Sequence, residues 1–225
     1  MNRIDNLNIV RQANHRNDSS TVRSNADIDR IRKAVESRLA PIGHKVAAQP
    51  PALPTGSDLV YTEYEIPSAM ALAHTAVPDG RGSVWFASFG VGKVGRLDVA
   101  SGKITEYPTK TPGLHPHGIT VSPEGIVWFS AMPYGIGRID PATGELQEFK
   151  APDPTESARG SPHTIIVARD GKVWFTELTN GSITSFDPKT QQFRRYQIEE
   201  RSGPYGILER EDNVFWFILS GSSKV

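Results

Sequence analysis

Cysteine is absent from the 225-residue chain, and neither sign of charge is in excess, with 25 basic and 25 acidic side chains. The lack of cysteine excludes disulfides, thiolate nucleophiles and Cys-ligated zinc or iron–sulfur centres. The balance of charge argues against a protein that binds nucleic acid or an anionic membrane surface. No apolar run approaches the roughly 18 residues that a membrane-spanning helix needs. The composition therefore predicts neither a nucleic-acid partner nor a membrane partner.

The first 57 residues differ in character from the rest. Residues 1–23 are polar, rich in Asn and Arg, and lack the apolar core of a secretory signal, so a cytoplasmic location is expected for the chain as written. A short helix is predicted over 25–40 from apolar residues at spacings of three and four: Ile28, Ile31, Val35 and Leu39. Residues 47–57 are a stiff Pro-rich linker. We therefore expect a disordered arm with a short helix over 1–57, ahead of a domain over 58–225.

A repeat dominates the remainder of the chain. Each of the four tryptophans is followed directly by phenylalanine, and the tryptophans lie 43, 46 and 42 residues apart. The tryptophans are Trp85, Trp128, Trp174 and Trp216. The residues eleven positions before them are His74, His117, His163 and Tyr205. Turn signals such as Asp-Gly divide each unit into four short strands, which is typical of a β-propeller blade.

The predicted fold is an all-β propeller of four-stranded blades, of which about four are present. The blades are expected near 72–108, 117–150 and 163–198, with an incomplete blade over 205–225. A propeller closes its ring because each blade must be covered by its neighbours. We therefore expect the chain to be part of a larger protein or to associate with itself to close the propeller. A cramped four-blade ring, closed by a strand over 61–66, is the alternative.

The blades resemble those of the virginiamycin B lyase (streptogramin lyase) family. The matching motifs are Pro116-His117-Gly118-Ile119, Val173-Trp174-Phe175-Thr176-Glu177, Val94-Gly95-Arg96-Leu97 and Glu106-Tyr107-Pro108. The resemblance covers about residues 58–225 and implies a parent fold of seven blades. It also implies a carbon–oxygen lyase that opens a streptogramin B-type cyclic depsipeptide at its ester by elimination, with magnesium as cofactor. The partner implied is thus a small cyclic peptide.

The resemblance also implies which residues carry the chemistry. His117 and His163 match the family's two Pro-His positions. The family's glutamates are not matched, because His115 and Ser161 stand two residues before those histidines. Four residues after the tryptophans, where the family has a second glutamate, the chain has Met132 and Leu178. The identity of any metal ligands is left open.

The spacing within each unit predicts how the histidines are paired. Pairing about the turn at 169–171 sets His163 across from Glu177. The same offset predicts three further pairs: His74 with Ser88, His117 with Ala131, and Tyr205 with Leu219. One end of the propeller axis then collects the three histidines and Tyr205, with Glu177 as the carboxylate of that layer. An imidazole beside a carboxylate has a defined tautomer and a raised pKa, which suits acid–base catalysis.

The leading hypothesis is that His163 with Glu177 is the base of the elimination and His117 the acid. His74, His115 and Tyr205 are then ligand-binding residues of the axial face. His115 and His117 are also a candidate two-histidine half-site for a metal, since alternate residues of a strand share a face, but such a site needs further ligands that the sequence does not identify. Alternatively, a histidine at this place caps the inner strand, and Tyr205 in the fourth unit fits that interpretation.

Two other function classes compete with the lyase. The first is a non-catalytic propeller that binds a small molecule or a protein through its axial face, which the unmatched glutamates favour. The second is a gluconolactonase-like lactone hydrolase. That enzyme needs an acidic calcium site on the axis, and a single axial Glu177 argues against it.

Overall fold

The structure, a computed structural model, describes residues 62–152, 161–199, 201–210 and 214–225. The predicted arm, the helix over 25–40 and the linker over 47–57 lie outside these residues. No helix among the described residues is long and apolar enough to cross a membrane. Residues 62–66 are not in a strand, so the predicted closing strand over 61–66 is wrong for its described part.

Fourteen strands and one short 3-10 helix, Phe89–Val91, make up the regular structure of the described residues. The strands are β1 Ala73–Pro78, β2 Ser83–Ser88, β3 Lys93–Asp98, β4 Ile104–Pro108, β5 His115–Val121, β6 Val127–Met132, β7 Gly135–Ile139, β8 Leu146–Lys150, β9 Pro162–Val167, β10 Val173–Glu177, β11 Ser182–Asp187, β12 Gln192–Gln197, β13 Pro204–Glu209 and β14 Phe215–Leu219.

The strands form four antiparallel sheets in chain order. β1–β4, β5–β8 and β9–β12 are four-stranded, and β13–β14 is two-stranded. We call these sheets blades 1 to 4. Their first strands, β1, β5, β9 and β13, contact one another in sequence, so these inner strands line the axis. The prediction of an all-β propeller of four-stranded blades is thereby confirmed.

The Trp-Phe repeat is explained by packing between neighbouring blades. Trp85 of blade 1 shares a buried cluster with Phe129 of blade 2. Trp128 of blade 2 likewise packs with Phe175 and Phe186 of blade 3, with 5.8 Å between its ring centroid and that of Phe186. Each blade thus supplies one large ring to each of its two interfaces. The Trp-Phe pair recurs along the chain because neighbouring blades meet at the same kind of interface.

Glycine in the third strand makes room for these rings. A Cβ added at Gly95 would fall inside the Phe86 ring, and a Cβ at Gly137 would fall inside the Phe129 ring. Both phenylalanines lie opposite their glycine in the same sheet. The glycine of the Gly-Arg dipeptide in blades 1 and 2 is therefore required by packing within the blade.

Replacing Trp128 by alanine should lower the free energy of unfolding by about 3–5 kcal/mol, because it removes a large buried ring between two blades. Trp128 is 4% exposed, whereas Trp216, at the same repeat position in blade 4, is 43% exposed. Trp216→Ala is therefore the matched control and should cost clearly less. Urea denaturation followed by circular dichroism measures both. Equal losses in the two variants would contradict this assignment of the core.

Candidate functional site

Four rings lie in close contact at the axial end of the inner strands, and neighbouring rings are tilted by 37°, 47° and 45°. The ring centroids of His74 and His117 are 3.7 Å apart, those of His117 and His163 are 4.1 Å apart, and those of His163 and Tyr205 are 3.9 Å apart. Each ring comes from a different blade. We call these four rings the axial column. The sequence-based expectation that these residues meet at one end of the axis agrees with this arrangement.

The column is buried in the middle and open at both ends. His117 and His163 are 9% and 6% exposed. His74 at one end is exposed, and Tyr205 at the other end is 43% exposed. A ligand on the axial face would therefore meet the outer rings first.

A β-bulge places each ring on the axis. In blade 2, Pro116 pairs with Ala131 and Ile119 pairs with Phe129, so His117 and Gly118 together oppose the single residue Ser130. The same shift occurs in the other three blades, where the doubled residues are His74-Thr75, His163-Thr164 and Tyr205-Gly206. A bulge of two residues against one bends the strand and redirects a side chain.

The bulge overturns the predicted cross-strand pairs. Glu177 pairs with Pro162 and not with His163. The same displacement by one residue occurs in the other three blades. The positions predicted for His74, His117 and Tyr205 are occupied by the preceding residues, Ala73, Pro116 and Pro204. The predictions fail because a regular ladder was assumed up to the end of each strand.

Glu177 is held by an ion pair within its own blade. Its side chain is 1% exposed, and Arg195 donates to it from Nε at 2.6 Å and from a terminal nitrogen at 2.9 Å. The hydroxyls of Ser182 and Thr184 each donate to Oε2 at 2.7 Å. Burial acts to raise the pKa of Glu177, but these hydrogen bonds and the charge of Arg195 keep that pKa below its ordinary value. The predicted partnership of Glu177 with His163 is therefore wrong, because Arg195 holds the carboxylate.

The buried histidines of the column are neutral at pH 7. Burial, followed by the charges of His163 and His74, lowers the pKa of His117 from 6.5 to about 4. Burial and the charge of His74 also lower the pKa of His163. The predicted raised pKa is wrong, since none of the described carboxylates faces these rings and their neighbours include other imidazoles. A neutral imidazole accepts a proton, which is what a general base requires.

His115 lies beside the column but is not part of it. Its Nδ1 is 2.8 Å from the carbonyl oxygen of Phe89, and the two ring centroids are 5.0 Å apart. His115 also pairs with Met132, ahead of the bulge at His117. The bulge interrupts the strict alternation of faces on which the predicted His115–His117 half-site depends.

Comparison with known proteins relates these features to a family. The family model of virginiamycin B lyase matches residues 55–135. Virginiamycin B lyase from Staphylococcus aureus is 31% identical over 71% of this chain and 53% of its own, with a TM-score of 0.64. A catalytically inactive histidine-to-alanine form of the same organism's enzyme, with quinupristin, matches at 31% identity over 74% of this chain and 55% of its own, with a TM-score of 0.67.

This is a virginiamycin B lyase-like propeller. The chain spans about half the length of those lyase structures. A candidate gluconolactonase shares the fold alone, at 16% identity over 67% of this chain and 56% of its own, with a TM-score of 0.51. A search of curated proteins finds no match.

The described residues do not fit the magnesium ion that likeness to this family suggests. Magnesium prefers oxygen ligands in near-octahedral geometry. The column offers imidazole nitrogens instead, and the carboxylate of Glu177 is already bound by Arg195. Within the part of the chain that the structure describes, no three His, Cys, Asp or Glu side chains are placed to hold a metal ion.

Sequence reasoning missed the residues that contact Glu177 and the main chain of the axial column. Arg195 had a visible signal, because it replaces the glutamates at the matching position of the other blades, Glu106 and Glu148. In blade 3 the outer strand carries the cation Arg195, and the second strand of the same blade carries the carboxylate Glu177. Ser130 and Thr176 gave no comparable signal, since their role depends on the bulge.

Lowering the pH from 6.5 to 4 should destabilise the fold. The unfolded chain protonates His117 near pH 6.5, whereas the folded chain does so only near pH 4. Stability is therefore complete above pH 6.5 and is lost as the pH falls towards 4, by about 3 kcal/mol for this one group. Urea unfolding at several pH values measures the loss. His117→Asn should flatten the profile in this window, and an equally steep profile in that variant would contradict the assignment.

Proposed function

We propose that the protein is a carbon–oxygen lyase that opens a streptogramin B-type cyclic depsipeptide at its ester. The observation that carries this proposal is the axial column, in which two buried, neutral imidazoles from neighbouring blades lie in contact at the axial end of the inner strands. Its support is the likeness to virginiamycin B lyase, at 31% identity. The chain spans about half of that enzyme's length. The proposed activity therefore rests on the residues of the axial column and not on overall similarity alone.

The proposed reaction is an elimination with His163 as general base. The imidazole takes the proton on the carbon alpha to a carbonyl, and the electrons of that C–H bond form a double bond to the beta carbon. The bond between the beta carbon and the ester oxygen breaks, and the carboxylate leaves. The product is a linear isomer of unchanged mass.

The surroundings of His163 suit this role. Its Nδ1 lies 3.2 Å from the hydroxyl of Thr164. Donation of the Nδ1 proton to that hydroxyl selects one tautomer and leaves Nε2 free to accept the substrate proton. Although the pKa of His163 is lowered, it is His117 whose pKa falls to about 4. His163 is accordingly the better base of the two.

His117 contributes a hydrogen bond instead of a proton. With a pKa of about 4 it stays neutral at pH 7 and cannot act as the predicted acid. A neutral imidazole still has one N–H, which can stabilise negative charge that develops on an oxygen of the substrate.

The exposed ends of the column suit ligand binding. His74 and Tyr205 each contact the next ring of the column and are otherwise exposed. Flat rings of this kind bind the aromatic or planar groups of a cyclic peptide by stacking. No role in this binding is assigned to His115, whose Nδ1 is occupied by Phe89.

A binding propeller without catalytic activity is the second candidate. The observation that favours it is the ion pair of Glu177 with Arg195, which leaves the column without a carboxylate among the described residues. The same observation disfavours a lactone hydrolase, which needs an acidic axial site for calcium.

Product mass separates these candidates. The 225-residue chain is incubated with a streptogramin B, with added magnesium in one arm and EDTA in the other, and the mixture is analysed by liquid chromatography and mass spectrometry. A linear isomer of unchanged mass supports the lyase, and addition of one water identifies a hydrolase. Ligand binding without turnover, measured by tryptophan fluorescence, supports the binding propeller and overturns the lyase.

Light scattering on the same sample tests self-association. Blade 4 has two strands, and its side chains Leu208, Trp216 and Ile218 are exposed. We propose that, in a sample of the 225-residue chain alone, a second copy of the chain covers this face. A dimer or larger discrete species is the expected result, and a well-folded monomer would contradict it.

A further inference from the structure

We propose that Ser130 and Thr176 are positioning residues for His163, because their hydroxyls bind both polar groups of the peptide unit that joins His163 to Thr164. The two residues occupy the same place in the second strands of blades 2 and 3, where each faces the two residues of a bulge. The effect on turnover rests on the proposed function, whereas the effect on the imidazole itself does not.

Ser130 ties blade 2 to the carbonyl group of His163. Its Oγ accepts from the backbone N–H of Gly118 at 2.7 Å and donates to the backbone oxygen of His163 at 2.7 Å. The side chain is fully buried. The blades approach so closely here that a Cβ added at Gly118 would collide with that same carbonyl oxygen. The hydroxyl therefore sets where the main chain of His163 lies relative to blade 2.

Thr176 ties the residue after His163 to its own blade. Its Oγ1 accepts from the backbone N–H of Thr164 at 3.1 Å and donates to the backbone oxygen of Tyr205 at 2.7 Å. It too is fully buried. Two equivalent hydroxyls thus make the same pair of bonds in successive interfaces, each linking a bulge to the ring-bearing residue of the next blade.

The bulge explains why a hydroxyl is needed at this position. The extra residue of a bulge loses its place in the ladder of the sheet, yet a buried N–H group must find an acceptor. A hydroxyl can accept that bond and donate another at the same time. It therefore accepts the hydrogen bond of the unpaired N–H group in the bulge and donates its own proton to the carbonyl oxygen of the next blade.

Among the described residues of the column, these ties distinguish His163 from the other rings. In blade 1 the matching residue is Ala87, which offers no hydroxyl to Thr75 or to the carbonyl of His117. In blade 4 it is Ile218, which offers none to Gly206. The peptide unit after His163 is thus bound by hydroxyls at both its C=O and its N–H, whereas the peptide unit after His117 has such a bond only at its N–H, and that after Tyr205 only at its C=O. The proposed base is the ring whose main chain is held best.

The test is an NMR titration of the His163 imidazole in four variants. Ser130→Ala and Thr176→Val are the test variants, because they remove the two hydroxyls. Thr176→Ser, which keeps the hydroxyl, and Thr184→Val, which removes a buried hydroxyl that contacts Glu177 in the sheet of blade 3, are the controls. Loosening His163 exposes it to water, so its pKa should rise towards the ordinary value in the first two variants. The pKa should remain that of the parent chain in the last two. An unchanged pKa in folded Ser130→Ala and Thr176→Val would overturn the proposal.

Turnover and hydrogen exchange complete the test. Ser130→Ala and Thr176→Val should lower kcat by about tenfold with little change in KM, as expected when a base is misplaced. If the parent chain lacks turnover, the proposed function fails while the titration still decides the positioning role. Should the variants not fold, amide exchange in the parent chain decides it. Gly118 and Thr164 should exchange at least about tenfold more slowly than Thr75 and Gly206, and equal rates would overturn the proposal.

Discussion

Arg195→Ala is expected to lower the free energy of unfolding by about 3–5 kcal/mol. The substitution leaves the carboxylate of Glu177, which is 1% exposed, without its cation inside the blade. Removal of one partner of a buried ion pair is costly because the remaining charge stays desolvated. Hydroxyls from Ser182 and Thr184 cannot replace the lost charge. Urea denaturation followed by tryptophan fluorescence measures the loss.

The neighbouring arginine is the matched control. Arg194 is exposed and lies over the ring of Tyr196, with 4.9 Å to the ring centroid. Arg194→Ala should cost less than about 1 kcal/mol, as is usual for an exposed cation on an aromatic ring. Adding Glu177→Gln to Arg195→Ala should recover part of the stability, because it removes the unpaired charge. Equal losses in Arg194→Ala and Arg195→Ala would contradict the structural role given to Glu177.

His163→Ala is expected to reduce lyase turnover by about 10²–10⁴-fold, which is the usual contribution of a general base. The rate of formation of the linear isomer at saturating streptogramin B is the measurement. His115→Ala is the matched control, since it removes an imidazole that lies outside the column. That variant should retain turnover within about twofold. Loss of turnover in His115→Ala alone, with His163→Ala active, would reverse the assignment.

The fold could be predicted because its packing repeats. Trp85, Trp128 and Trp174 recur at nearly constant spacing, since each fills the same interface between blades. The meeting of His74, His117, His163 and Tyr205 on one face followed from the same period. Periodicity reports which positions share an environment, and it did so correctly here.

The pairing within the site could not be predicted in the same way. A bulge of two residues against one leaves the alternation of the remaining strand intact, so no pattern marks it at His163. The residue that pairs with Glu177 is therefore Pro162, one position before the predicted His163. The lowered pKa of His117 followed from burial among other imidazoles, which depends on neighbouring blades and not on its own strand. Arg195 is the exception, because its change of charge at a repeated position was visible in the sequence.

The most direct test of the account uses a streptogramin B carrying deuterium on the carbon alpha to the carbonyl, beside the ester-bearing beta carbon. If His163 removes that hydrogen, turnover by the parent chain should slow several-fold relative to the unlabelled ligand. The linear product should retain none of the deuterium on that carbon. A product that keeps the deuterium, or that has gained one water, would contradict the account.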